Sequence, residues 1–182
     1  MTRKLFLSTA IIIKSFSLFT NNCIIYSMKI LLVSDSHGNN EALDLLVKTY
    51  PNMDLYLHLG DSESDEYSIF PFRSVRGNCD YFGDFNDQLI IPTPYGNLFA
   101  QHRPTPNSDL MRDYKVKIFA YGHTHVRKHI DQMGIITINP GAISFARDGN
   151  DGSYAILDIS NDKVDVEFHD LTEIISKNNI FL

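Results

Sequence analysis

Cysteine and positive charge are both scarce in this chain. Only Cys23 and Cys79 occur among 182 residues, whereas small secreted proteins held together by disulfides carry more cysteines. We therefore expect a protein of the reducing cytoplasm. Lysine and arginine number 16 against 22 aspartates and glutamates, and the net charge is -6. Because binding along nucleic acid needs clustered basic side chains, this balance excludes an extended nucleic-acid surface.

The chain also lacks a long apolar run. A transmembrane helix needs about 20 mostly apolar residues, but the apolar stretch over residues 5–13 is short and is followed by Lys14. No membrane partner is therefore expected. Arg3 and Lys4 in front of this stretch are typical of a signal peptide, yet no Ala-x-Ala cleavage pattern follows it.

The rest of the chain predicts a single domain. Hydrophobic types make up 43% of the sequence, which is enough for one sizeable core. There is no internal repeat, low-complexity tract or linker. Met28 opens an apolar segment that suits a natural protein start. We expect residues 1–27 to be an N-terminal extension or a misassigned start, in preference to a working signal, and residues 28–182 to form the domain.

Apolar patterning predicts a strand, a helix and a second strand at the start of this domain. Residues 29–34 form a nearly continuous apolar run, which suits a buried strand. Asn39 and Asn40 precede an amphipathic helical pattern that Pro51 ends. Residues 55–59 predict a second strand, parallel to the first. The later predicted elements are a strand at 73–76, a hairpin of 88–92 and 97–102, a helix at 109–114, a strand at 117–121, and paired strands around 154–159 and 164–168.

Side chains that can bind metals follow five of the apolar segments. The five motifs are Asp35-Ser36-His37, Gly60-Asp61, Gly77-Asn78-Cys79-Asp80, His102, and Gly122-His123-Thr124-His125. Carboxylate oxygens and imidazole nitrogens bind divalent metals, and strand ends that meet in one crevice bring such groups together. Turn chemistry explains Asp, Asn and Gly at these places but not the histidines. The set therefore favours a metal site.

This ordered series of motifs resembles the calcineurin-like metallophosphoesterase superfamily, over Met28 to about Asp170. The short length and the Gly-Asn-Cys-Asp motif are similar to the small bacterial and archaeal phosphodiesterases of the YfcE-like family. The resemblance implies an α/β fold, a four-layer αββα sandwich of two mixed β-sheets flanked by helices. It also implies metals at the edge of the two sheets.

The resemblance further implies two metal ions held by carboxylates, imidazoles and one amide. The implied ligands of the first ion are Asp35, His37, Asp61 and His125. Those of the second ion are Asp61, Asn78, His102 and His123. Two cations about 3.5 to 4 Å apart need a shared anionic ligand, a role that falls to Asp61. The implied nucleophile is a hydroxide between the ions, through which Asp61, Asn78 and His102 would act in catalysis. Mn²⁺ is the expected metal, and the same ligand types accept Ni²⁺, Zn²⁺, Fe²⁺ or Mg²⁺.

Two positions depart from the family pattern. Many larger relatives have a histidine, thought to protonate the leaving oxygen, where this chain has Cys79. A thiol near its ordinary pKa is a weak proton donor to an alkoxide, so we interpret Cys79 as a small buried filler rather than a general acid or a thiolate ligand. Relatives usually have glycine where this chain has Arg103. Arg103 either contacts the substrate phosphate or points to solvent, and both interpretations stay open.

Other polar residues near these motifs are assigned to structure. Asp80 is a candidate acceptor that would orient an imidazole ligand. His58, His129 and His169 fall in no matched motif. The segment 139–142, Asn-Pro-Gly-Ala, resembles a turn that packs near the site in the family.

We expect a hydrolase of phosphoric ester bonds, and within that class a phosphodiesterase acting on a small phosphate ester. The alternatives are a phosphomonoesterase or nucleotide phosphatase, and a non-catalytic protein-interaction scaffold of the same fold, as in the retromer subunit related to this family. Every expected ligand position holds a metal-competent side chain, which favours an enzyme because a scaffold does not need a costly cluster of like charges. A homodimer or homo-oligomer is compatible with the sequence.

Overall fold

The computed structural model describes residues 27–177. The predictions for residues 1–26 and 178–182 lie outside the described residues. The elements in chain order are β1 (Met28–Val33), α1 (Asn40–Thr49), β2 (Leu55–His58), β3 (Arg73–Ser74), β4 (Gln88–Thr93), β5 (Gly96–Gln101), α2 (Ser108–Asp113), β6 (Val116–Ala120), β7 (Arg127–Gln132), β8 (Ile135–Pro140), β9 (Ser153–Ile159), β10 (Val164–Asp170) and α3 (Leu171–Lys177).

The strands form two mixed sheets of five strands each. The first sheet has the order β10-β9-β1-β2-β3, and the second has the order β4-β5-β6-β8-β7. Parallel pairs form the centre of the second sheet and the β1-β2-β3 side of the first, and antiparallel pairs complete both. Because β1, β2 and β3 are parallel, their carboxyl ends lie at one edge of the first sheet. The ends of β5, β6 and β8 do the same in the second sheet.

Alternation along β1 shows how the layers pack. Ile30 and Leu32 belong to the core between the two sheets, together with residues of β5 and β6 such as Leu98. Leu31 and Val33 face the other way and pack against the helices, because successive side chains of a strand point to opposite faces. All four of these β1 side chains are fully buried. The core therefore lies on both faces of the first sheet.

The helices form the outer two layers. The buried side chains of α1 and α3 pack on the outer face of the first sheet, and α2 packs on the outer face of the second sheet beside Phe99 and Phe119. The Asn39 side chain accepts a hydrogen bond from the Ala42 backbone N–H at 3.1 Å, which caps α1 as predicted. The predicted αββα sandwich is confirmed. Within residues 27–177, no helix is both long and apolar enough to cross a membrane.

Sequence patterning missed the β7-β8 hairpin and helix α3. Most β7 side chains are exposed, so this edge strand has no apolar alternation and is held by backbone pairing to β8. Asn139 and Pro140 end β8. The buried Asn139 amide donates to the Gly122 carbonyl at 2.8 Å, so the segment 139–142 packs beside the fifth motif as the resemblance implied. The strand predicted at 73–76 is also shorter, because β3 pairs with β2 only over Arg73 and Ser74.

Candidate metal centre

The predicted ligands lie where strands of both sheets end, and backbone hydrogen bonds hold these ends together. Asp35 donates its backbone N–H to the Gly60 carbonyl at 3.0 Å, which ties the end of β1 to the loop after β2. Gly122 donates to the His102 carbonyl at 3.0 Å within the second sheet. The Asp35 carboxylate accepts the His123 backbone N–H at 3.0 Å and so links the two sheets. The structure thus brings motifs far apart in sequence to one edge.

A first group of metal-competent atoms comes from Asp35, His37 and His125. Their donor atoms lie within 4.8 Å of one another. His125 Nε2 is 3.1 Å from Asp35 Oδ1. Within the described residues, Asp35 Oδ1 and His37 Nε2 are buried and take part in no hydrogen bond. A neutral His125 ring that donates Nδ1–H to the Phe145 carbonyl has no proton on Nε2 to give to Asp35. A buried polar atom without a partner is costly, and a divalent cation would satisfy both of these atoms, so the residues fit a metal ion.

A second group comes from Asp61, His102 and His123, again with donor atoms within 4.8 Å of one another. His102 Nε2 lies at its centre. This nitrogen is 3.3 Å from Asp61 Oδ2, 3.3 Å from His123 Nδ1 and 3.2 Å from Asn78 Oδ1. The four side chains that sequence analysis assigned to one metal ion therefore meet at one point.

A third group, formed by His37, Asp61 and Cys79, shares His37 with the first group and Asp61 with the second. The Cys79 thiol is partly exposed and not the buried filler that we predicted. Its backbone N–H donates to Asp61 Oδ1 at 2.7 Å, so the third motif wraps around this carboxylate. Burial, and then the charge of Asp61, raises the pKa of the thiol. In the absence of a cation, Cys79 is therefore a neutral thiol at neutral pH.

Three of the predicted histidine ligands have one ring nitrogen fixed by an acceptor. His37 Nδ1 is 2.7 Å from the Glu63 carboxylate, His102 Nδ1 is 2.8 Å from the Leu59 carbonyl, and His125 Nδ1 is 2.8 Å from the Phe145 carbonyl. An Nδ1–H bond of this kind selects the tautomer with a free lone pair on Nε2. All three Nε2 atoms belong to the donor groups described above. These three acceptors were not predicted from the sequence.

We predicted that Asp80 orients an imidazole ligand. In the structure, Asp80 instead holds the backbone of the site. Asp80 Oδ2 accepts the backbone N–H groups of Asp61 at 2.9 Å and Gly77 at 2.7 Å. Asp80 Oδ1 accepts the Glu63 N–H at 2.8 Å and the Ser62 hydroxyl at 3.0 Å. One buried carboxylate thereby holds the Asp61 loop against the Asn78 loop.

Five of the predicted ligands have left-handed backbone conformations. Their φ angles are 52° for Asp35, 47° for His37, 57° for Asp61, 64° for His123 and 59° for His125. Residues with a Cβ rarely adopt such angles, at a cost of about 1 kcal/mol or more each, and they concentrate at functional sites. The surrounding hydrogen bonds hold this strained arrangement in place.

Two glycines allow the loops to approach so closely. A Cβ on Gly77 would lie 2.1 Å from Asp61 Oδ1, and a Cβ on Gly122 would lie 1.9 Å from the Ser34 hydroxyl oxygen. Both distances are far below contact distance. Only glycine therefore fits at these two positions, where the backbone packs against Asp61 and against the Ser34-Asp35 turn.

Burial and mutual contacts shift the pKa values of the site. Burial raises the pKa of Asp61, but hydrogen bonds from His102 and the Cys79 backbone outweigh it, and the net pKa is below its ordinary value. Burial lowers the pKa of His102, but Asp61 more than compensates and the net pKa is raised. The Asp35 carboxylate raises the pKa of His125. Burial, and then the charges of His102 and Arg103, lower the pKa of His123. Protons and metal ions therefore compete for His102 and His125.

His58 is a structural residue that connects two ligand loops, in agreement with its assignment from sequence. It is fully buried, and burial lowers its pKa to about 4. His58 Nδ1 accepts the Gly60 backbone N–H at 3.1 Å, so its Nε2–H donates to the Ser36 hydroxyl at 3.0 Å. The neutral ring thus joins the loop after β1 to the loop after β2.

Comparisons with known sequences give one family. The calcineurin-like phosphoesterase superfamily domain matches residues 28–162. The chain is 33% identical over 154 residues to the probable metallophosphoesterase YsnB of Bacillus subtilis (strain 168), with 79% of this chain and 91% of YsnB covered. It is 30% identical over 104 residues to the phosphodiesterase YfcE of Escherichia coli (strain K12), with 47% of this chain and 51% of YfcE covered.

Solved structures share the fold. A conserved protein of Streptococcus pneumoniae TIGR4, described as a predicted phosphoesterase, superposes with a TM-score of 0.72 at 24% identity, covering 81% of this chain and 91% of that one. Vacuolar Protein Sorting 29 from Cryptosporidium parvum superposes with a TM-score of 0.59 at 17% identity, covering 79% and 97%. At these identities, the likenesses concern the fold alone.

Proposed function

We propose that this chain, which belongs to the calcineurin-like phosphoesterase superfamily, is a phosphodiesterase that works with two divalent cations. One observation carries the proposal. There are two groups of buried or half-buried carboxylates and imidazoles, and a third group that contains His37 and Asp61 connects them. Because Asp61 belongs to both the second and the third group, it suits a ligand shared by two ions.

The two unpartnered buried atoms, Asp35 Oδ1 and His37 Nε2, support cation binding. Asp35, His37, Asp61 and His125 would hold one ion, and Asp61, Asn78, His102 and His123 the other. When bound, two such cations lower the pKa of a water molecule between them and stabilise the negative charge of the phosphoryl oxygens. We propose Mn²⁺ for this role, and mixed oxygen and nitrogen ligands also accept Ni²⁺, Zn²⁺, Fe²⁺ and Mg²⁺.

The protein's own residues set the geometry of the reaction. Glu63 and the carbonyls of Leu59 and Phe145 fix the imidazole rings, so the ligands need little rearrangement during a reaction. Asp80 holds the Asp61 loop to the Asn78 loop. The ligand side chains are thus positioned before any substrate arrives.

The thiol of Cys79 favours a diester substrate over a monoester. Its raised pKa makes it a weak proton donor to a leaving oxygen. Without a strong acid at this position, esters with a good leaving group, and diesters whose activation comes mainly from the cations, are the better substrates. A phosphomonoesterase is the second candidate, and parallel assays on a diester and its monoester distinguish the two.

The experiment is a metal-reconstitution assay with a chromogenic phosphodiester. Metal-stripped protein should be inactive, and Mn²⁺ should restore cleavage. Asp61→Asn and His102→Ala should each lower kcat/KM by a factor of at least about 100, since each removes a ligand expected to act in the transition state. Matched controls on the exposed strand β7, Asp131→Asn and His129→Ala, should keep the wild-type rate.

Two outcomes contradict the proposal in different ways. Turnover of the monoester with no cleavage of the diester would make the chain a phosphomonoesterase. Tight metal binding with no cleavage of either ester would favour a protein-interaction scaffold of the same fold.

The proposal extends to location and partners. We propose a cytoplasmic enzyme that acts on a small phosphate ester, with no extended nucleic-acid surface and no membrane partner. Cell fractionation tests the location, and light scattering of the purified chain distinguishes a monomer from a homodimer.

A further inference from the structure

A cavity of about 370 Å³ opens beside the second donor group. Asn78 and His102 line it, so the cavity is continuous with the candidate metal centre. Its charged residues are Arg76, Asp87 and Arg103. Cavities of about 300 Å³ and more are of a size to hold part of a small-molecule ligand, in addition to a single ion or water molecule.

The cavity is cationic in a chain that is acidic as a whole. It contains two arginines against one aspartate, whereas the whole chain has a net charge of -6. Arg76 Nε is 3.7 Å from Asp87 Oδ1, and the Asp87 side chain is 86% exposed. An ion pair this long and this exposed is weak, so Asp87 leaves most of the positive charge available.

The two guanidinium groups are positioned differently but are both available to a ligand. Arg76 donates from Nε and Nη2 to the Phe85 carbonyl, at 3.2 and 3.1 Å, which orients the group. Within residues 27–177, the guanidinium of Arg103 has no hydrogen bond or ion pair. Its backbone is nevertheless held, because the buried Gln101 amide donates to the carbonyls of Arg103 at 2.6 Å and Thr105 at 3.0 Å.

We propose that this cavity binds a second phosphate group of the substrate. The preferred substrates are then phosphodiesters that carry a further terminal phosphate on one side of the bond that is cleaved. Guanidinium groups suit this task because they bind phosphate oxygens through two parallel hydrogen bonds. This inference rests on the proposed function and names the substrate class of the same site.

The test compares the thymidine dinucleotide TpT with its phosphorylated forms pTpT and TpTp, using the Mn²⁺-loaded protein. One phosphorylated form should have a kcat/KM about three to ten times that of TpT, mainly through a lower KM, since the contacts are charged hydrogen bonds at a partly exposed site. The measured quantity is this ratio within each variant, which does not depend on the absolute rate.

Variants of the cavity should change the ratio in opposite directions. Arg103→Gln should bring it close to one, and Arg103→Lys should keep part of it, because a lysine retains the charge without the two parallel donors. Asp87→Asn removes the competing negative charge and should raise the ratio. Lys128→Gln, which removes a positive charge on the exposed strand β7, should leave the ratio unchanged.

Failure of this inference is distinguishable from failure of the proposed function. Equal KM values for TpT, pTpT and TpTp, with all three cleaved, would overturn the inference and leave the phosphodiesterase standing. A preference that persists in Arg103→Gln and Arg76→Gln would also overturn it. Cleavage of the chromogenic diester without cleavage of any dinucleotide would overturn the inference alone. If neither the dinucleotides nor the chromogenic diester is cleaved, the inference and the proposed function are both overturned.

Discussion

A metal-binding histidine almost always donates its other ring N–H to a fixed acceptor. In this protein the partners of His37, His102 and His125 are one carboxylate and two backbone carbonyls. The candidate ligands could be picked out from the sequence because Asp, Asn and His recur at strand ends, and the structure brings them together. The carbonyls were not predictable, because any residue supplies a carbonyl and only its position in the fold makes it an acceptor. Glu63 was findable in principle, two residues after Asp61, but a lone glutamate in an acidic loop gives no distinct signal.

The Glu63 contact gives the first prediction. Glu63→Gln should weaken Mn²⁺ binding by about tenfold, because loss of a carboxylate behind a metal-bound imidazole lowers its basicity and frees its orientation. Isothermal titration calorimetry on metal-stripped protein measures the effect. Glu41→Gln, an exposed substitution at the start of α1, is the matched control and should bind Mn²⁺ as the wild type does. Equal affinities in the two variants would show that Glu63 does not support the ligand.

His58 gives a pH dependence. Its pKa is about 4 in the folded protein against an ordinary value of 6.5, so the unfolded chain binds more protons between these values. The free energy of unfolding should therefore fall as pH decreases from 6.5 to 4, by up to about 3 kcal/mol from this group. Urea unfolding of metal-free protein at several pH values should show a shallower dependence in His58→Gln than in the wild type. Parallel curves would contradict this assignment.

At the scale of elements, the strands and helices that could be predicted from the sequence are those with many buried apolar side chains. Strands β1 and β6 are buried and apolar, and the sequence predicted them within one or two residues. Strand β7 is an exposed edge strand that pairs with β8. Backbone hydrogen bonds hold it there, and these leave no apolar pattern in the sequence. Helix α3 is short, and only a few of its side chains reach the core, so its apolar period is too brief to recognise.

Helix α3 nevertheless contributes to stability. Leu171 at its start is 3% exposed and packs in the cluster between the first sheet and the helices. Leu171→Ala should lower the free energy of unfolding by about 2 to 4 kcal/mol, because it leaves a cavity in the core. Ile130→Ala on β7, where the side chain is 38% exposed, should cost less than about 1 kcal/mol. Chemical denaturation measures both, and similar losses would mean that α3 is not firmly docked.

At the scale of the whole molecule, the candidate site draws ligands from both sheets. Of the two proposed ions, one would join Asp35 and Asp61 of the first sheet to His125 of the second. The other would join Asp61 to His102. Ligand binding to the native state alone stabilises the fold by mass action. Metal binding should therefore raise the free energy of unfolding of the whole sandwich, because the ligands come from both sheets.

This link gives a prediction for thermal unfolding. Mn²⁺ at about 100 times its Kd should stabilise the protein by about 2.7 kcal/mol for each ion bound, and each such increment raises Tm by roughly 5 to 10 °C. The rise should shrink as pH falls, because the raised pKa values of His102 and His125 favour protons over metal on the same nitrogens. Differential scanning fluorimetry measures it. Asp61→Asn should lose the rise and Asp131→Asn should keep it, and an equal rise in both would place the metal elsewhere.

The strand order of the first sheet has a consequence for synthesis on the ribosome. Strand β1 lies between β2, which follows it closely in sequence, and β9, which is near the other end of the domain. Asp35 and His37 leave the ribosome long before His123 and His125 do. On the proposed function, a nascent chain would carry an incomplete ligand set until His123 and His125 have emerged. Because β9 emerges later still and pairs with β1, the first sheet would close after the last ligand has been made.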